Sequence, residues 1–350
     1  MSERWTAEKF AESFARRPGM FLGGEVSPDG LVEWCFEDLR RAGVRELGME
    51  VGERGRITLR AKPGEPLTAW AREWQAALAD PRGTRVVHTD SLQVLRLAST
   101  ELEARWSDDE MCVMFHADPA RFPEPLAAHA LIGVAADLTT AYPGLCAFVR
   151  DLTLGLDTNL VYRRGVLDRL LEVATRSKLN HPPLRFQSTT GEVRFDLAFA
   201  WRPGPGLQLV ALVNGKRTPN GGTHVRGFWE GIAAAIEKRL PTRDARRRLL
   251  TEREVPRNAV LVISVHLDDP RYGPATRDCL HDVRALEIIR SDVEEAFGAW
   301  LEREWPGVSP PWQLLGGFHD SEPWQRTYAE MLSKPAETPF PDPYLHRDDE

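Results

Sequence analysis

The sequence predicts a mixed α/β (α+β) protein built from more than one domain. Its 350 residues favour two domains over one. Helical and strand-like patterns follow one another up to about residue 305. Residues 259–267, AVLVISVHL, form an almost continuous apolar run, which predicts a strand buried on both faces. A strand and a helix precede this run, and that order predicts a βαβ crossover.

The first half of the chain is predicted to contain five helices, at residues 10–16, 31–48, 67–79, 91–99 and 126–142. Apolar residues at helical spacing mark the second of them, from Leu31 through Leu39 to Ala42. Alternating and apolar runs predict strands at 56–61, 102–106, 111–116 and 145–150. The middle two of these strands are predicted to pair as a hairpin.

The second half is predicted to contain helices at 165–177, 227–240 and 284–304 and strands at 192–201, 207–213 and 259–267. In the first of these strands, EVRFDLAFAW, Val193, Phe195, Leu197 and Phe199 alternate onto one face. From residue 306 to residue 350 the periodicity is lost, while Pro and Trp are frequent. This part is therefore predicted to be a separate Pro/Trp-rich tail.

Composition excludes several classes of protein. The formal net charge of −7 gives no overall electrostatic attraction for nucleic acid. No apolar run approaches the roughly 18 residues of a membrane span, and no signal peptide opens the chain. The four cysteines are far apart without a CxxC pair, which predicts no metal site and a cytoplasmic location.

One motif is more specific than all of these patterns. Residues 212–228 read LVNGKRTPNGGTHVRGF. This stretch resembles the transducer-domain signature of DNA gyrase B and related type II topoisomerases. The matching residues, which we expect to have structural roles, are Asn214, Thr218, Gly221, Gly222, Thr223, His224, Gly227 and Phe228.

Further segments resemble the same family in the same order. They are RPGMFLG at 17–23, FHADPARF at 115–122 and the loop DDPRYGPATRDCL at 268–280. The resemblance implies a GHKL-type ATPase domain at 1–165 and a transducer domain of ribosomal-protein-S5-like fold at 166–305, followed by the tail at 306–350. It also implies that the chain lacks the Toprim domain, because only the tail follows the transducer.

The resemblance implies an altered metal and water site. The family carries E-x-x-D-N on a helix, where the glutamate activates water and the asparagine oxygen binds Mg²⁺. The matching residues here are Glu37 and Arg41. An arginine side chain has no acceptor atom and carries a positive charge, so Arg41 is not suited to coordinate a cation.

Other nucleotide-pocket positions also depart from the family. The aspartate that binds adenine corresponds to Arg60 or, with a one-residue slip, to Ala61, and Gly64 keeps its place in the following loop. The Gly-rich phosphate lid corresponds to residues 80–91, which contain one glycine, Gly83. The Gly-Thr pair that helps to hold adenine corresponds to Glu110 and Met111, and the lysine that reaches the γ-phosphate corresponds to Arg277.

These departures together predict a pseudo-ATPase that needs no cofactor and acts as a structural, regulatory or DNA-associated module. The alternative is an ATP-hydrolysing topoisomerase component that uses Mg²⁺, with Glu37 as the general base. DNA, another topoisomerase component or a second copy are the partners that the resemblance suggests. In the first interpretation, Glu37 and Arg277 are remnants of the catalytic site.

Several residues keep two interpretations. His224 is either catalytic or a histidine that fixes a turn, and the second is favoured. Arg40, Arg41 and Arg60 form a new anion site or pair with carboxylates such as Glu37 in a collapsed pocket. The tryptophans from Trp300 to Trp324 bind a partner or pin the tail to its own domain. The basic residues Arg246, Arg247 and Arg248 contact DNA or lie on a solvated face.

Overall fold

The computed structural model describes residues 7–22, 28–41, 44–62, 74, 90–107, 110–124, 126–175, 179–202, 206–239, 258–273 and 275–304. These residues form two compact units. The first contains the described residues up to Tyr162 together with Ala275–Arg277, and the second contains those from Arg163 onward apart from that tripeptide. Within the described ranges, no helix is both long enough and apolar enough to cross a membrane.

The first unit is a six-stranded sheet with helices on one face. Its helices are α1 (Ala7–Arg16), α2 (Gly19–Leu22), α3 (Asp29–Arg41), α4 (Asp90–Ala98) and α5 (Ala128–Ala141). Its strands are β1 (Glu46–Val51), β2 (Arg56–Lys62), β3 (Ser99–Trp106), β4 (Met111–Ala117), β5 (Cys146–Asp151) and β6 (Leu156–Leu160). They are ordered β3-β4-β2-β1-β5-β6, and only β1 and β5 run parallel.

Burial alternates along these strands, as expected for a sheet that is covered on one face. Leu47, Met49 and Val51 of β1 are buried, and so are Ile57 and Leu59 of β2. Helices α4 and α5 contact the sheet, and α3 packs against both of them. The opposite, open face of the sheet carries charged residues such as Glu46 and Lys62.

The second unit is a five-stranded sheet ordered β10-β9-β11-β8-β7. Its strands are β7 (Leu184–Thr190), β8 (Val193–Trp201), β9 (Gln208–Val213), β10 (Lys216–Arg217) and β11 (Ala259–Leu267). Its helices are α6 (Val166–Val173), α7 (Thr223–Arg239) and α8 (Val283–Glu304). Strands β9 and β11 are parallel and α7 lies between them in the chain, so the predicted βαβ connection is confirmed.

All nine residues of β11 are buried, as the apolar run predicted. Its odd-numbered residues, such as Leu261 and Ile263, join Phe199, Phe228 and Phe297 in the main core of this unit. The rings of Phe199 and Phe228 meet edge to face, with centroids 5.1 Å apart. This core packs the sheet against α7 and α8.

One predicted element was wrong. The helix predicted at 31–48 ends at Arg41, and Glu46–Val51 is the strand β1. The apolar residues Leu47, Met49 and Val51 alternate with period two, so the sheet pattern takes over where the helical pattern stops. The helix predicted at 67–79 lies largely outside the described residues, where only Trp74 is placed, buried and helical.

Candidate nucleotide pocket and transducer signature

Helix α3 carries the residues that match the family's metal and water site. Leu31, Cys35 and Leu39 are buried and fix its inner face. Glu37 lies in the helix and Arg41 is its last residue, but their side chains and that of Arg40 lie outside the described part of the structure. The structure therefore places the backbone of these positions and leaves their roles as predictions.

Two residues at positions that match the family's adenine-recognition residues lie side by side on the helix-covered face of the first sheet. Ala61 of β2 pairs directly with Met111 of β4 in the strand register. Ala61 is 1% exposed and Met111 is fully buried. Neither side chain offers a hydrogen-bond acceptor of the kind that an adenine amino group requires. At this register, therefore, the two side chains give the buried face an apolar surface.

Arg60 lies on the opposite face of the same sheet, because successive residues of a strand point to opposite sides. Its Nε lies 3.3 Å from Oε2 of Glu50, and its Nη1 lies 3.0 Å from Oε2 of Glu110. Burial lowers the pKa of Arg60, but the Glu50 carboxylate, together with Cys112 and Glu110, raises it above its ordinary value. Of the two alternatives for the adenine position, Ala61 is thus the one on the helix-covered face.

Arg277, predicted from the resemblance to match the family's γ-phosphate lysine, belongs to the first unit by its contacts. Its guanidinium carbon lies 5.3 Å from the centre of the Trp34 ring on α3. A cation over an aromatic face is attracted by about 0.5–2 kcal/mol. Arg277 also adopts a left-handed backbone with φ of 62°, an uncommon conformation for a residue other than glycine.

Several predicted site residues lie outside the described residues. They are Gly64, the lid residues 80–89 with Gly83, the basic residues Arg246, Arg247 and Arg248, and the tail at 306–350. Among the residues that the structure does describe, no group of three His, Cys, Asp or Glu side chains is placed to hold a metal ion. The cysteines Cys35, Cys112, Cys146 and Cys279 are all free thiols.

The transducer signature begins at a hairpin turn. Asn214 and Gly215, with φ of 51° and 79°, connect β9 to β10. An Asn-Gly pair with two positive φ values is typical of the tight turn that joins antiparallel strands. The Asn214 Nδ2 donates to the Leu267 carbonyl at 2.9 Å, and its Oδ1 accepts the Leu267 N–H at 3.0 Å. The side chain therefore ties the turn to the end of β11.

We expect Asn214→Ala to lower the free energy of unfolding by about 2–3 kcal/mol, because it removes two hydrogen bonds and strains the left-handed backbone. Asn214→Gly is the matched control, since glycine loses the same hydrogen bonds without the backbone strain. In urea unfolding, the wild type should be the most stable, the Gly variant less stable and the Ala variant the least stable. Equal stability of the Gly and Ala variants would contradict this account.

The next part of the signature is a buried pair formed by Thr218 and His224. The Thr218 Oγ1 donates to the Ala211 carbonyl at 3.2 Å and lies 3.4 Å from Nε2 of His224. We therefore assign the ring proton of His224 to Nε2, which donates to the threonine oxygen. Its Nδ1 is buried and has no hydrogen-bonding partner among the described residues. Burial lowers the pKa of His224 to about 3, so the ring is neutral near pH 7.

The two glycines between them make a close backbone contact. Gly221 and Gly222 have φ of 63° and 131°. Gly222 forms a parallel bridge with Leu280, and a Cβ on Gly222 would lie 2.2 Å from the Leu280 carbonyl oxygen. The Thr223 N–H donates to that oxygen at 2.8 Å, while its hydroxyl accepts the Asp282 N–H at 3.0 Å. These residues join the start of α7 to the chain before α8.

The last part of the signature packs α7 against α8. A Cβ on Gly227 would lie 2.7 Å from the Leu286 carbonyl oxygen, and one on Gly231 would lie 2.6 Å from that of Arg290. The G-x-x-x-G spacing places both glycines on one face of α7, where the helices approach closely. Phe228, between them, is fully buried in the core. Sequence reasoning identified Gly227 but missed Gly231, although the spacing was visible.

Sequence reasoning also missed His181, which is 3% exposed. Its Nδ1 donates to the Pro182 carbonyl at 2.7 Å, and its Nε2 accepts the Trp201 N–H at 3.0 Å. Both contacts fit a neutral ring, and burial lowers the pKa of His181 to about 4 despite the Pro182 carbonyl, which raises it. Its ring also meets those of Phe199 and Trp201 edge to face.

Parts of this chain are similar in sequence to known proteins. Residues 165–307 match the family model for DNA gyrase B. The chain is 22% identical over 159 residues to the gyrase B protein of Archaeoglobus fulgidus, covering 45% of this chain and 25% of that protein. It is 26% identical over 198 residues to the B subunit of DNA topoisomerase 4 from Salmonella typhimurium, covering 55% and 31%. The matched region thus spans only about a quarter to a third of these relatives.

Solved structures extend the likeness to most of the chain. The B subunit of DNA gyrase from Myxococcus xanthus superposes with a TM-score of 0.69 at 21% identity, covering 88% of this chain and 99% of that one. The 43K ATPase domain of Thermus thermophilus gyrase B, solved with an aminocoumarin, gives a TM-score of 0.61 at 16% identity and covers 92% and 97%. These likenesses confirm the predicted fold class: the ATPase and transducer fold of the gyrase B group of type II topoisomerases.

Within that class, the chain is similar in sequence to the B subunits of DNA gyrase and DNA topoisomerase 4, over residues 165–307 for the gyrase B family model. The resemblance stated from the motifs is therefore confirmed.

Proposed function

We propose that this gyrase B-like chain does not bind ATP in the manner of the family and acts as a structural, regulatory or DNA-associated module. The observation that carries the proposal is the direct pairing of Ala61 with Met111 on the buried face of the first sheet. An adenine amino group placed there without an acceptor would lose about 1–3 kcal/mol. Arg41, in the metal position, adds a second and independent obstacle.

The transducer signature supports a role that needs no catalysis. Asn214, Thr218, Gly222 and Phe228 all make contacts inside the second unit that hold strands, turns and helices together. These contacts account for the signature without a nucleotide. We propose that His224 fixes the turn rather than acting as an acid or base, because it is neutral and buried against Thr218.

A second candidate function is ATP hydrolysis as part of a type II topoisomerase. Two observations favour it: Glu37 is retained on α3, and Arg277 lies over Trp34 on the same helix. Steady-state hydrolysis of Mg·ATP tests both candidates, with Glu37→Ala as the variant and Glu37→Gln as its isosteric partner. Our proposal predicts turnover at the buffer background in all three proteins. Turnover by the wild type that disappears in both variants would establish the second candidate.

The DNA-associated form of the proposal makes its own prediction. The basic residues Arg246, Arg247 and Arg248 would contribute phosphate contacts. We expect the triple Arg→Gln variant to weaken binding to a DNA duplex and to reduce the salt dependence of that binding by about three counterions. Gel-shift titrations at several salt concentrations measure both quantities. Binding that is absent at low salt, or identical in the variant, would restrict the proposal to a structural or regulatory role.

A further inference from the structure

The hairpin formed by β5 and β6 carries most of the exposed large hydrophobic side chains of the described residues. Six such side chains are exposed, and four of them lie in this hairpin: Phe148, Leu152, Leu154 and Leu156. Leu152 and Leu154, in the turn, are 59% and 80% exposed. Apolar side chains that are concentrated in one exposed region are typical of an interaction surface, whereas single ones are common on any protein. The hairpin is therefore a candidate interaction surface.

Strand β6 also forms one edge of the first sheet. It pairs with β5 on one side, and no described strand pairs with its other side. The backbone groups of such an edge can pair with a further strand, and charged side chains are a common protection against this. The opposite edge, β3, carries the exposed residues Glu101, Glu103 and Arg105. In β6 the only charged residue is Asp157, whose Oδ2 lies 3.0 Å from Nη2 of Arg150 in the same chain.

Helix α5, which packs against β5 and β6, has no Asp, Glu, Lys or Arg on its exposed surface. Its residues that are not buried are His129, Ala130, Ile132 and Gly133. Its one carboxylate, Asp137, is 5% exposed. A helix that faces water normally carries charged and polar residues on its outer side. The surface beside β6 is therefore suited to contact with another apolar surface.

The side chains of β6 are arranged to fit a second copy of the same strand. Leu156, Thr158 and Leu160 lie opposite residues of β5 that are buried, so they point to the helix-covered face. Asp157 and Asn159 point to the open face. In an antiparallel pair with a two-fold axis at Thr158, each Leu156 is opposite Leu160 of the second copy. Each Asp157 is then opposite Asn159 of the second copy.

This register is favoured over its neighbours. A two-fold axis at Asp157 would place two carboxylates directly opposite each other, which is destabilising. An axis at Asn159 would place Leu160 opposite Thr158 instead of a leucine. An axis perpendicular to the sheet keeps the helix-covered faces of both copies on one side, so their apolar surfaces meet. We propose that the β6 edge binds a second copy of this chain, antiparallel and centred on Thr158, without any nucleotide.

Two opposite charge changes at Asn159 test this proposal. Asn159 is exposed, so both variants should fold, and circular dichroism verifies this. Asn159→Lys places an ammonium opposite Asp157 of the second copy, whereas Asn159→Asp places a second carboxylate there. Sedimentation equilibrium of the full chain at low salt measures the dissociation constant of the dimer. We expect Asn159→Asp to raise it about tenfold and Asn159→Lys to lower it by a similar factor, because each dimer contains two such pairs.

Glu103→Lys is the matched control, because it changes an exposed charge on the opposite edge of the same sheet. It should leave the dissociation constant unchanged. A full chain that stays monomeric at high micromolar concentration would overturn the proposal and leave the β6 edge to a different protein or to a lipid surface. A dimer that responds equally to both Asn159 variants, or to neither, would overturn it as well. The inference does not depend on the proposed function.

Discussion

Gly222→Ala is expected to destabilise the second unit by more than about 4 kcal/mol and so to prevent its folding under ordinary conditions. The added Cβ would lie 2.2 Å from the Leu280 carbonyl oxygen and 2.4 Å from its nitrogen, and both are backbone atoms that cannot rotate away. The φ of 131° at Gly222 adds a conformational cost for any residue with a side chain. The bridge to Leu280 would therefore break, and with it the junction between α7 and the chain before α8.

Chemical unfolding and amide hydrogen exchange of β8 and β11 measure this effect. Gly298→Ala is the matched control, because a Cβ there meets nothing within 4 Å and Gly298 lies inside α8. That substitution should be neutral or should stabilise the helix by up to about 1 kcal/mol. If both variants unfold at the same denaturant concentration, the close contact at Gly222 does not stabilise the fold in the way argued above.

Two of the buried histidines, His224 and His181, are expected to make the second unit markedly less stable in acid. The pKa values of His224 and His181 in the folded protein are about 3 and about 4, below the ordinary value of 6.5. Above pH 6.5, both rings are neutral in the folded and unfolded states, so their full contribution to stability is present. Below pH 6.5, the unfolded chain binds protons that the folded chain does not, and the free energy of unfolding falls.

The decrease in the free energy of unfolding at low pH has a defined size and a defined pH range. Each histidine contributes about 1.4 kcal/mol per pH unit between its unfolded and folded pKa. The two together give a slope of up to about 2.7 kcal/mol per pH unit between roughly pH 6 and pH 4. Below about pH 4, the contribution of His181 levels off, while that of His224 continues toward about pH 3.

His224→Gln isolates one of these contributions. The glutamine amide nitrogen replaces Nε2 as the donor to Thr218, but it does not titrate. Other groups that titrate in this range are common to both proteins, so the difference between their stability curves reports His224 alone. We expect the slope of the variant between pH 6 and pH 4 to be smaller by about 1.4 kcal/mol per pH unit. Parallel curves for the two proteins would show that His224 is not a neutral buried ring.

The strongest sequence patterns correctly predicted two strands of the second sheet. The continuous apolar run at 259–267 is the buried central strand β11, and the alternating run that ends at Trp201 is β8. The edge strands β6 and β7 were not predicted, because their residues are largely exposed and lack an apolar repeat. Residues 46–48, the first half of β1, were predicted as helix because apolar residues continue along the sequence after α3.

Some features of the candidate site could not be predicted from the sequence alone. Sequence alone left the adenine position open between Arg60 and Ala61, because a shift of one residue along a strand moves every side chain to the other face. Only the pairing of β2 with β4 showed that Ala61 meets Met111 and that Arg60 faces away. The signature glycines were found from their resemblance to a family, whereas their physical reason lies in contacts with Leu280 and Leu286, far along the chain.

We propose that the buried face at Ala61 and Met111 does not recognise ATP. Isothermal titration of the full chain with a non-hydrolysable ATP analogue and Mg²⁺ tests it most directly. The account predicts no saturable binding, or a dissociation constant weaker than about 1 mM, which corresponds to about 4 kcal/mol or less of binding free energy. Saturable one-to-one binding with a micromolar dissociation constant would contradict it.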